Sequence, residues 1–263
     1  AEYLVRHDDI KMLSFTGSAK VGWYLKGICG KKKVVLELGG DAGVIVHEDA
    51  PLDYAIRRSV TGAFAYAGQI CISVQRIYCH SSVYTEFFER FVELTKKLKL
   101  GNPLDEDTDY GPMIDEAAAA KAEDFIEDAR RKGGRIITGG VRKGNLVEAT
   151  VITDTRPDMK ICCEEAFSPI VYIEQYHDLD DAIRRINSSR YGLQAGVFTR
   201  DVGIVFKAFS EIETGAVMIN EIPTFRIDHM PYGGIKDSGL GREGIRYAIE
   251  EMTELKLLVL NFP

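Results

Sequence analysis

Residues 34–46 have the sequence VVLELGGDAGVIV, and this stretch decides the fold class of the chain. It holds two apolar runs, 34–38 and 43–46, which Gly39 and Gly40 separate. Short apolar runs bounded by turn residues are typical of strands that are buried on both faces, as they are in parallel sheets. The stretch therefore predicts two neighbouring buried strands with a turn at the glycines.

Strands and helices continue to alternate on both sides of this stretch. Upstream, Val21, Leu25 and Ile28 recur at helical spacing after Ser18, a residue suited to cap a helix. Such alternation predicts an α/β fold with a mostly parallel sheet and flanking helices. The predicted strands are 12–15, 34–38, 43–46, 76–79, 170–173, 195–198, 216–219 and 255–260, and the predicted helices are 18–29, 51–66, 84–98, 117–131, 179–186, 205–212 and 245–252.

The composition excludes several classes of protein. The chain has 263 residues, 45% of them hydrophobic and 28% charged, as in a globular protein with a sizeable core. Its net charge of −7 argues against nucleic acid as a partner, which would require a basic surface. No apolar run is long enough to cross a membrane, and the first residues lack the pattern of a secretory signal. We therefore expect a cytoplasmic protein.

The cysteines give no sign of a disulfide framework or a metal site. Their number is odd, no two form a C-x-x-C pair, and none has a histidine at zinc-ligand spacing. We expect reduced thiols, with all but Cys71 packed as small apolar side chains. The five are Cys29, Cys71, Cys79, Cys162 and Cys163.

Residues 239–244, GLGREG, match the G-x-G-x-x-G pattern of dinucleotide-binding loops. That pattern carries meaning only between a strand and a helix of a βαβ unit, with an acidic residue about twenty positions later. Here a loop precedes it and too little chain follows. We therefore expect a turn that leads into a helix.

Cys71 ends the segment Gly68-Gln69-Ile70-Cys71, between a predicted helix and a predicted strand. A thiol at such a boundary is accessible to substrate, and its thiolate can attack a carbonyl carbon. The alternative is a buried thiol with no chemical role.

Glu37 ends the first strand of the opening stretch, where burial would raise its pKa into the range of a general base. The alternative there is a solvated carboxylate.

These segments together resemble the aldehyde dehydrogenase superfamily. The resemblance rests on six motifs in order along almost the whole chain, and its details resemble most the lactaldehyde and phosphonoacetaldehyde dehydrogenase branch. It implies that Cys71 attacks an aldehyde to give a thiohemiacetal and then a thioester, and that Glu37 activates the water that hydrolyses the thioester. The motifs are 15–18 (FTGS), 37–40 (ELGG), 68–71 (GQIC) with Arg76, 165–169 (EAFSP), Asn220, and 231–234 (PYGG) with Lys236, Ser238 and Gly239.

The resemblance also implies NAD or NADP as the cofactor and a small aldehyde as the substrate. Gly17 and Ser18 would lie by the pyrophosphate, at a helix N-terminus that favours an anion. Glu165 would hold the nicotinamide ribose, although from its sequence alone it could equally be part of a solvated turn. The cofactor-binding residues would be Gly17, Ser18, Leu38, Gly39, Glu165 and Phe167, and those near the substrate tunnel Asn220, Arg226 and Tyr232.

Chains of this family are markedly longer, so the resemblance implies a chain truncated at the N-terminus, with reduced or no activity. Residues 1–37 would be a remnant of the nucleotide-binding domain, 38–240 the catalytic domain, and 241–263 a C-terminal helix and oligomerisation strand of a homo-oligomer. Two other functions stay open: a cofactor-free assembly or binding module, which the apolar tail would suit, and an acyl transferase that forms a thioester without redox chemistry.

Arg226 is the residue most informative about the substrate. In the resembled family its loop borders the aldehyde entrance, where a guanidinium would bind a carboxylate, phosphate or phosphonate. This predicts a preference for small aldehydes with an anionic or hydroxyl group. The alternative is a structural ion pair with Asp228 or Glu221.

Overall fold

The computed structural model describes residues 2–262 and confirms the predicted α/β class. Within these residues the strands are β1 Met12–Thr16, β2 Lys33–Glu37, β3 Gly43–Val46, β4 Arg76–His80, β5 Arg135–Thr138, β6 Arg142–Lys143, β7 Leu146–Val147, β8 Thr150–Thr153, β9 Ile170–Tyr176, β10 Tyr191–Gly192, β11 Gln194–Phe198, β12 Ala216–Ile219, β13 Ile235–Lys236 and β14 Gly239–Leu240. The α-helices are α1 Glu2–Arg6, α2 Ala19–Ile28, α3 Leu52–Phe64, α4 Ser81–Lys97, α5 Glu116–Arg131, α6 Lys160–Cys163, α7 Leu179–Asn187, α8 Val202–Glu211 and α9 Ile245–Met252.

The core is a seven-stranded sheet of the described residues in the order β12-β11-β3-β4-β9-β8-β5. Every neighbouring pair in it is parallel except β5 with β8. The central strands are apolar and fully buried, as Val44, Ile45 and Ile77 illustrate. Helices cover such a sheet because parallel strands need crossover connections. Accordingly, α3 and α4 pack against each other and against β3, β4 and β9.

A second, three-stranded sheet has the order β1-β2-β14. Its first pair is parallel, and β14 joins β2 antiparallel, with Gly239 opposite Glu37. The connection from β1 to β2 is α2, whose N-cap is Ser18, as the sequence predicts. Residues 239–240 therefore pair with β2, and they fix the end of that strand, where Glu37 lies.

The GLGREG segment forms a turn that enters α9 and not a dinucleotide loop. Gly239 belongs to β14, and Gly241 and Gly244 have φ angles of +83° and +111°. Residues other than glycine rarely adopt such angles. Gly244 is the N-cap of α9, so the glycines serve the local turn.

Several elements differ from the sequence-based expectation, among them two strands of the large sheet and the C-terminal segment. The strands β5 and β8 extend the edge of the large sheet, but short β-rich runs between polar segments carry too little periodicity to be recognised. Residues 253–262, expected to contain a strand at 255–260, belong to no helix or strand of the described chain, and Leu255 to Leu260 are largely exposed. A strand needs a partner for its backbone groups, and the described residues provide none there.

Candidate active site

Cys71 follows a left-handed turn made by three consecutive residues. Tyr66, Ala67 and Gly68 have φ angles of 53°, 56° and 68°, a conformation that costs non-glycine residues free energy. Gln69 stabilises it: its side-chain amide donates to the Tyr66 and Pro112 carbonyls and accepts from the Ile114 N–H. The turn ends α3 abruptly and directs the chain to Cys71, just before β4.

The backbone of Cys71 lies tightly against the glycine turn of the opening stretch. A Cβ added at Gly40 would lie 2.7 Å from the Cys71 carbonyl oxygen. Around the half-buried thiol, Ile72, Leu193 and Tyr232 form a small apolar cluster. Gly40, Cys71 and Leu193 all precede parallel strands of the large sheet, so the site lies at the amino ends of those strands.

The Cys71 sulfur contacts one hydroxyl group and lies near two carboxylates. The Tyr232 Oη is 3.2 Å from the sulfur. Burial raises the pKa of the Cys71 thiol, the Tyr232 hydrogen bond opposes that rise, and the carboxylates of Glu165 and Glu37 add to it. The thiol is therefore protonated at rest, and its ionisation depends on the groups around it.

Glu37 is the first of these carboxylates, at the end of β2. Only 6% of its surface is exposed, and neither carboxylate oxygen has a hydrogen-bond partner among residues 2–262. Burial and the neighbouring Glu243 raise its pKa from 4.5 to about 8, although Arg226 and Arg242 oppose the rise. A buried carboxylate with free lone pairs and a pKa near neutrality can accept a proton from water.

Glu165, the second carboxylate, lies in the loop between α6 and β9 and is half-buried. Its Oε1 accepts a hydrogen bond of 2.9 Å from the Gly40 N–H. A Cβ at Gly39 would lie 2.1 Å from Oε2, so only glycine leaves room for this carboxylate. Burial raises its pKa, and the Gly40 hydrogen bond opposes that rise. Glu165 is thus fixed in place, whereas Glu37 is not.

Gln75 positions the Glu165 loop, and the sequence analysis missed it. Its buried amide donates to the carbonyls of Ile161 and Glu164 and accepts from the Ala166 N–H, each at 2.8 to 2.9 Å. The only sequence signal was its position next to Arg76, just before a predicted strand. A buried polar side chain is expected to be hydrogen-bonded, and here the partners of Gln75 hold the segment that presents Glu165.

The expected cofactor residues divide into two groups. Gly17 and Ser18 lie at the exposed N-terminus of α2, although the Gly17 N–H is already bonded to the Glu37 carbonyl. Leu38 corrects the expectation: its side chain is 1% exposed and packs where a Cβ of Gly22 would lie, so only its backbone can face a ligand. Phe167 is 41% exposed, with a φ angle of 48°, and lines a surface cavity with Tyr66 and Gln69.

Asn220 is a turn residue and does not meet Cys71. It follows the carboxyl end of β12, whereas Cys71 lies beside the amino ends of the same sheet. Its φ angle is 53°, and its Oδ1 accepts a hydrogen bond of 3.0 Å from the Thr199 N–H. Asparagine is suited to such a position because its side chain can bond to nearby backbone. The expected substrate contact is therefore replaced by a structural one.

Arg226 has an ion-pair partner that the sequence analysis did not consider. Its Nη2 lies 2.5 Å from Glu243, and neither Asp228 nor Glu221 takes that place. Glu221 is bound by Arg58 at 2.8 Å instead. The Arg226 guanidinium carbon also lies 4.1 Å from the centre of the Tyr232 ring. Arg226 is thus both a structural brace and a cation next to the site.

The cysteines other than Cys71 were expected to be packed, and all but one of them are at least partly buried. Cys29 and Cys79 are buried, and Cys162 is half-buried, with burial raising its pKa to about 11. Cys163 is exposed, and its thiol contacts the Pro157 carbonyl at 2.7 Å. The short helix α6 turns it to the surface, so the expectation that it is packed was wrong.

No group of three or more His, Cys, Asp or Glu side chains among residues 2–262 could hold a metal ion. None of the helices in that range has the length and apolar character to cross a membrane.

Comparison with known proteins agrees with this geometry. The model of the aldehyde dehydrogenase family matches residues 1–258. The chain is 47% identical over 260 residues to a 3-sulfolactaldehyde dehydrogenase of Priestia aryabhattai, covering 99% of this chain and 54% of that protein. It is 42% identical over 258 residues to a lactaldehyde dehydrogenase of Methanococcus aeolicus, covering 98% and 55%.

A solved structure is similar over the same range. The glyceraldehyde-3-phosphate dehydrogenase of Methanocaldococcus jannaschii, in complex with NADP, superposes with a TM-score of 0.94 at 42% identity, over 97% of this chain and 56% of that one. The chain thus spans about half the length of the relatives it matches, and the lactaldehyde dehydrogenase part of the predicted branch is confirmed. The chain belongs to the aldehyde dehydrogenase family.

Proposed function

We propose that this chain carries the catalytic residues for NAD(P)-dependent oxidation of an aldehyde to a carboxylic acid, with Cys71 as nucleophile and Glu37 as base. The single observation that carries the proposal is the pair of carboxylates near one thiol. Glu37 is buried without a partner, and its pKa is about 8. Glu165 is fixed by the Gly40 N–H. One carboxylate is free to take a proton, and the other is held to bind a ligand.

The residues present fit one side of a nicotinamide cofactor. The first turn of α2 offers the amides of Ala19 and Lys20, which donate to no protein group in the described chain, and helix N-termini favour a pyrophosphate. Glu165 lies against Gly39, where its carboxylate can accept from ribose hydroxyls. When bound, the cofactor supplies the hydride acceptor. NADP in the Methanocaldococcus structure supports this assignment.

Cys71 performs the first half of the reaction. Its thiolate attacks the aldehyde carbon, and the carbonyl oxygen becomes an oxyanion beside the Cys71 backbone N–H. The apolar cluster of Ile72 and Leu193 excludes water from the sulfur at this stage. After oxidation the acyl group remains on Cys71 as a thioester.

Glu37 performs the second half. As a carboxylate it accepts a proton from water, and the resulting hydroxide attacks the thioester carbon, with the Cys71 thiolate as leaving group. A pKa of about 8 leaves part of the Glu37 population ionised near neutral pH, and a base of this strength transfers protons efficiently in that range.

Arg226 supports an anionic or hydroxylated aldehyde as substrate. Only its Nη2 donates to a protein acceptor in the described chain, so the other N–H groups of the guanidinium can bind a carboxylate, sulfonate or phosphate. The names of the relatives are consistent with this class: 3-sulfolactaldehyde, lactaldehyde and glyceraldehyde 3-phosphate. Glu243 reduces the net charge, so we expect a moderate preference.

The test compares Arg226→Leu with the parent protein, both as it stands and joined to the N-terminal half of the Priestia relative. NADH or NADPH formation is followed with succinate semialdehyde and with propanal. We expect a KM about ten times higher for the anionic aldehyde only, since a charge-assisted hydrogen bond contributes about 1.5–3 kcal/mol. Arg246→Leu, which removes an exposed ion pair on α9, is the matched control.

The outcomes separate the three functions. Reduced cofactor that appears only with Cys71 present supports the proposal. Acylation of Cys71 by a thioester without reduced cofactor supports the acyl transferase. If neither reaction occurs in either form of the protein, the result supports the assembly or binding module. Equal KM changes for both aldehydes make Arg226 a structural residue only.

A further inference from the structure

Tyr232 presents its hydroxyl to the Cys71 sulfur from a fixed position. The Oη–Sγ distance is 3.2 Å, and Tyr232 is only 4% exposed. No other hydrogen-bond partner of this hydroxyl exists within residues 2–262, and within the same range Tyr232 is the only side chain that bonds to the sulfur. A buried hydroxyl is expected to have a partner, so the contact with Cys71 is the interaction for which this oxygen is placed.

The chemistry of the two groups determines the direction of the hydrogen bond. A thiol is a weak acceptor, whereas a thiolate is a strong one, and hydrogen bonds to ionised acceptors are about twice as strong as neutral ones. Burial raises the pKa of Tyr232 well above its ordinary value, so the phenol keeps its proton. The O–H therefore donates, and it stabilises the ionised sulfur more than the neutral one.

We propose that Tyr232 is a catalytic residue whose O–H donates to the Cys71 thiolate and so sets the nucleophile's ionisation and position. The proposal rests on the assignment of Cys71 as nucleophile. No proton is transferred between the two: Cys71 loses its proton to solvent, and the phenol remains intact. After the sulfur forms its bond to the substrate carbon, the O–H no longer faces a thiolate.

The surrounding charges make this donor necessary. Glu37 and Glu165 both disfavour a negative sulfur. Arg226, Arg242 and Glu243 lie near Glu37, and Arg226 and Glu243 form an ion pair. The net charge near the thiol is therefore not positive. A neutral donor in direct contact can stabilise a thiolate there without adding a charge.

Arg226 is a positioning residue in the same cluster. Its guanidinium lies over the Tyr232 ring, and a cation on the face of a phenol draws electron density from the ring and makes the O–H a better donor. Glu243 holds Arg226 through the ion pair. It also holds Tyr232 through two backbone hydrogen bonds, Tyr232 N–H to the Glu243 carbonyl and the reverse, at 3.1 and 2.6 Å. One residue thus fixes both the ring and the cation.

The test is the pH dependence of Cys71 alkylation by limiting iodoacetamide, with each cysteine quantified by peptide mass mapping. Tyr232→Phe removes one oxygen and keeps the ring. We expect the apparent pKa of Cys71 to rise by about one unit. The alkylation rate at pH 7.5 then falls only about threefold, because a thiolate of higher pKa is also more nucleophilic. Above the pKa values of both proteins, Tyr232→Phe reacts faster than the parent, so the two curves cross.

Controls keep the result interpretable. Tyr84→Phe removes a half-buried hydroxyl whose partner is Thr153 Oγ1 at 3.3 Å. Both residues lie at the carboxyl ends of the strands, whereas Cys71 lies at the amino ends, so this variant is expected to leave the Cys71 curve unchanged. Arg226→Leu is expected to shift the curve in the same direction as Tyr232→Phe but less. Thiolate absorbance at 240 nm, as the difference from Cys71→Ser, measures the same ionisation without a reagent, and thermal melting checks that each variant is folded.

Superimposable curves for Tyr232→Phe and the parent would overturn the inference and leave Tyr232 a packing residue, as would a lowered pKa. Neither measurement needs cofactor or aldehyde. If the Cys71 curve shifts as expected but Cys71→Ser oxidises aldehydes normally, the hydrogen bond is real and the proposed function fails. If aldehyde oxidation depends on Cys71 while the curves coincide, the function stands and the role of Tyr232 fails.

Discussion

Glu37 and Glu165 approach Cys71 from two different sheets, and they are held in different ways. Glu37 ends β2 of the three-stranded sheet and has no hydrogen-bond partner in the described chain. Glu165 belongs to the loop before β9 of the seven-stranded sheet, where Gly40 and, through the loop backbone, Gln75 hold it. The two glutamates near the Cys71 sulfur thus differ in how firmly hydrogen bonds hold their carboxylates.

The difference indicates how one site can divide two tasks between two carboxylates. A carboxylate that accepts a backbone N–H is stabilised in its charged form, which suits an acceptor for hydroxyl groups. A buried carboxylate without partners is destabilised in its charged form, which raises its proton affinity and suits a base. The assignment of roles follows from the surroundings and not from the residue type.

A large loss of acylation is expected when Gly40, at the turn between the two sheets, is changed. In Gly40→Ala the new Cβ would lie 2.7 Å from the Cys71 carbonyl oxygen, so the nucleophile must move. We expect acylation of Cys71 by p-nitrophenyl acetate to slow at least about a hundredfold, since a shift of about 1 Å has effects of that size. The burst of p-nitrophenolate measures acylation.

Gly39→Ala is the matched control for that experiment. Its Cβ would meet the Glu165 carboxylate at 2.1 Å and not the nucleophile. We expect the burst to remain within about twofold of the parent. A similar loss in both variants would mean that the turn acts as a unit and that the two sides are not separable.

A smaller effect is expected on stability. In the folded protein the Glu37 pKa is about 8, against 4.5 in the unfolded chain. Below pH 4.5 the carboxyl is protonated in both states and costs nothing. Between about pH 4.5 and 8 only the unfolded state releases the proton, so folding becomes less favourable as pH rises. The accumulated cost above pH 8 is about 2–4 kcal/mol.

Glu37→Gln removes that cost, so we expect this variant to melt like the parent near pH 4.5 and higher than the parent at pH 8.5. Glu165→Gln should show a smaller gain, because the Gly40 N–H stabilises the Glu165 carboxylate. Thermal unfolding across pH 4.5–8.5 measures both. Equal gains in the two variants would contradict the difference between the carboxylates.

The sequence predicted more of the fold than of the site. Strong apolar periodicity placed β12 and α9 at their observed bounds, whereas β8 and the edge strand β5 went unrecognised because their runs are short. In the site, the motifs predicted Cys71 and Glu37, and the structure brings the two residues close together. Their proximity depends on the packing of the Gly40 turn against the Cys71 carbonyl, and no local pattern contains that information.

The errors have a common cause. Leu38 and Asn220 were assigned from their positions in motifs, but the Leu38 side chain packs against Gly22 and the Asn220 side chain bonds to Thr199. For Arg226 the motif did not reveal the ion pair with Glu243, and its contact with substrate stays a prediction. A motif fixes the backbone path near a site, and the direction of each side chain depends on tertiary partners. Gln75 was missed for a related reason, because its burial and its partners in the Glu165 loop come from distant segments of the chain.

We propose that Glu37 activates water, whereas Glu165 does not. Deacylation of Cys71 after the p-nitrophenyl acetate burst tests it most directly, because this step needs no cofactor and no aldehyde. Cys71→Ser supplies the blank. In the parent protein we expect the deacylation rate to rise with pH and level off above an apparent pKa of about 8, as Glu37 ionises.

Glu37→Gln is expected to keep the burst amplitude, to deacylate about 100 to 10,000 times more slowly, and to lose the inflection at pH 8. Glu165→Gln is expected to keep both the rate and the inflection. If Glu37→Gln deacylates at the parent rate, or if the inflection survives in it and disappears in Glu165→Gln, then the assignment of the base to Glu37 is contradicted.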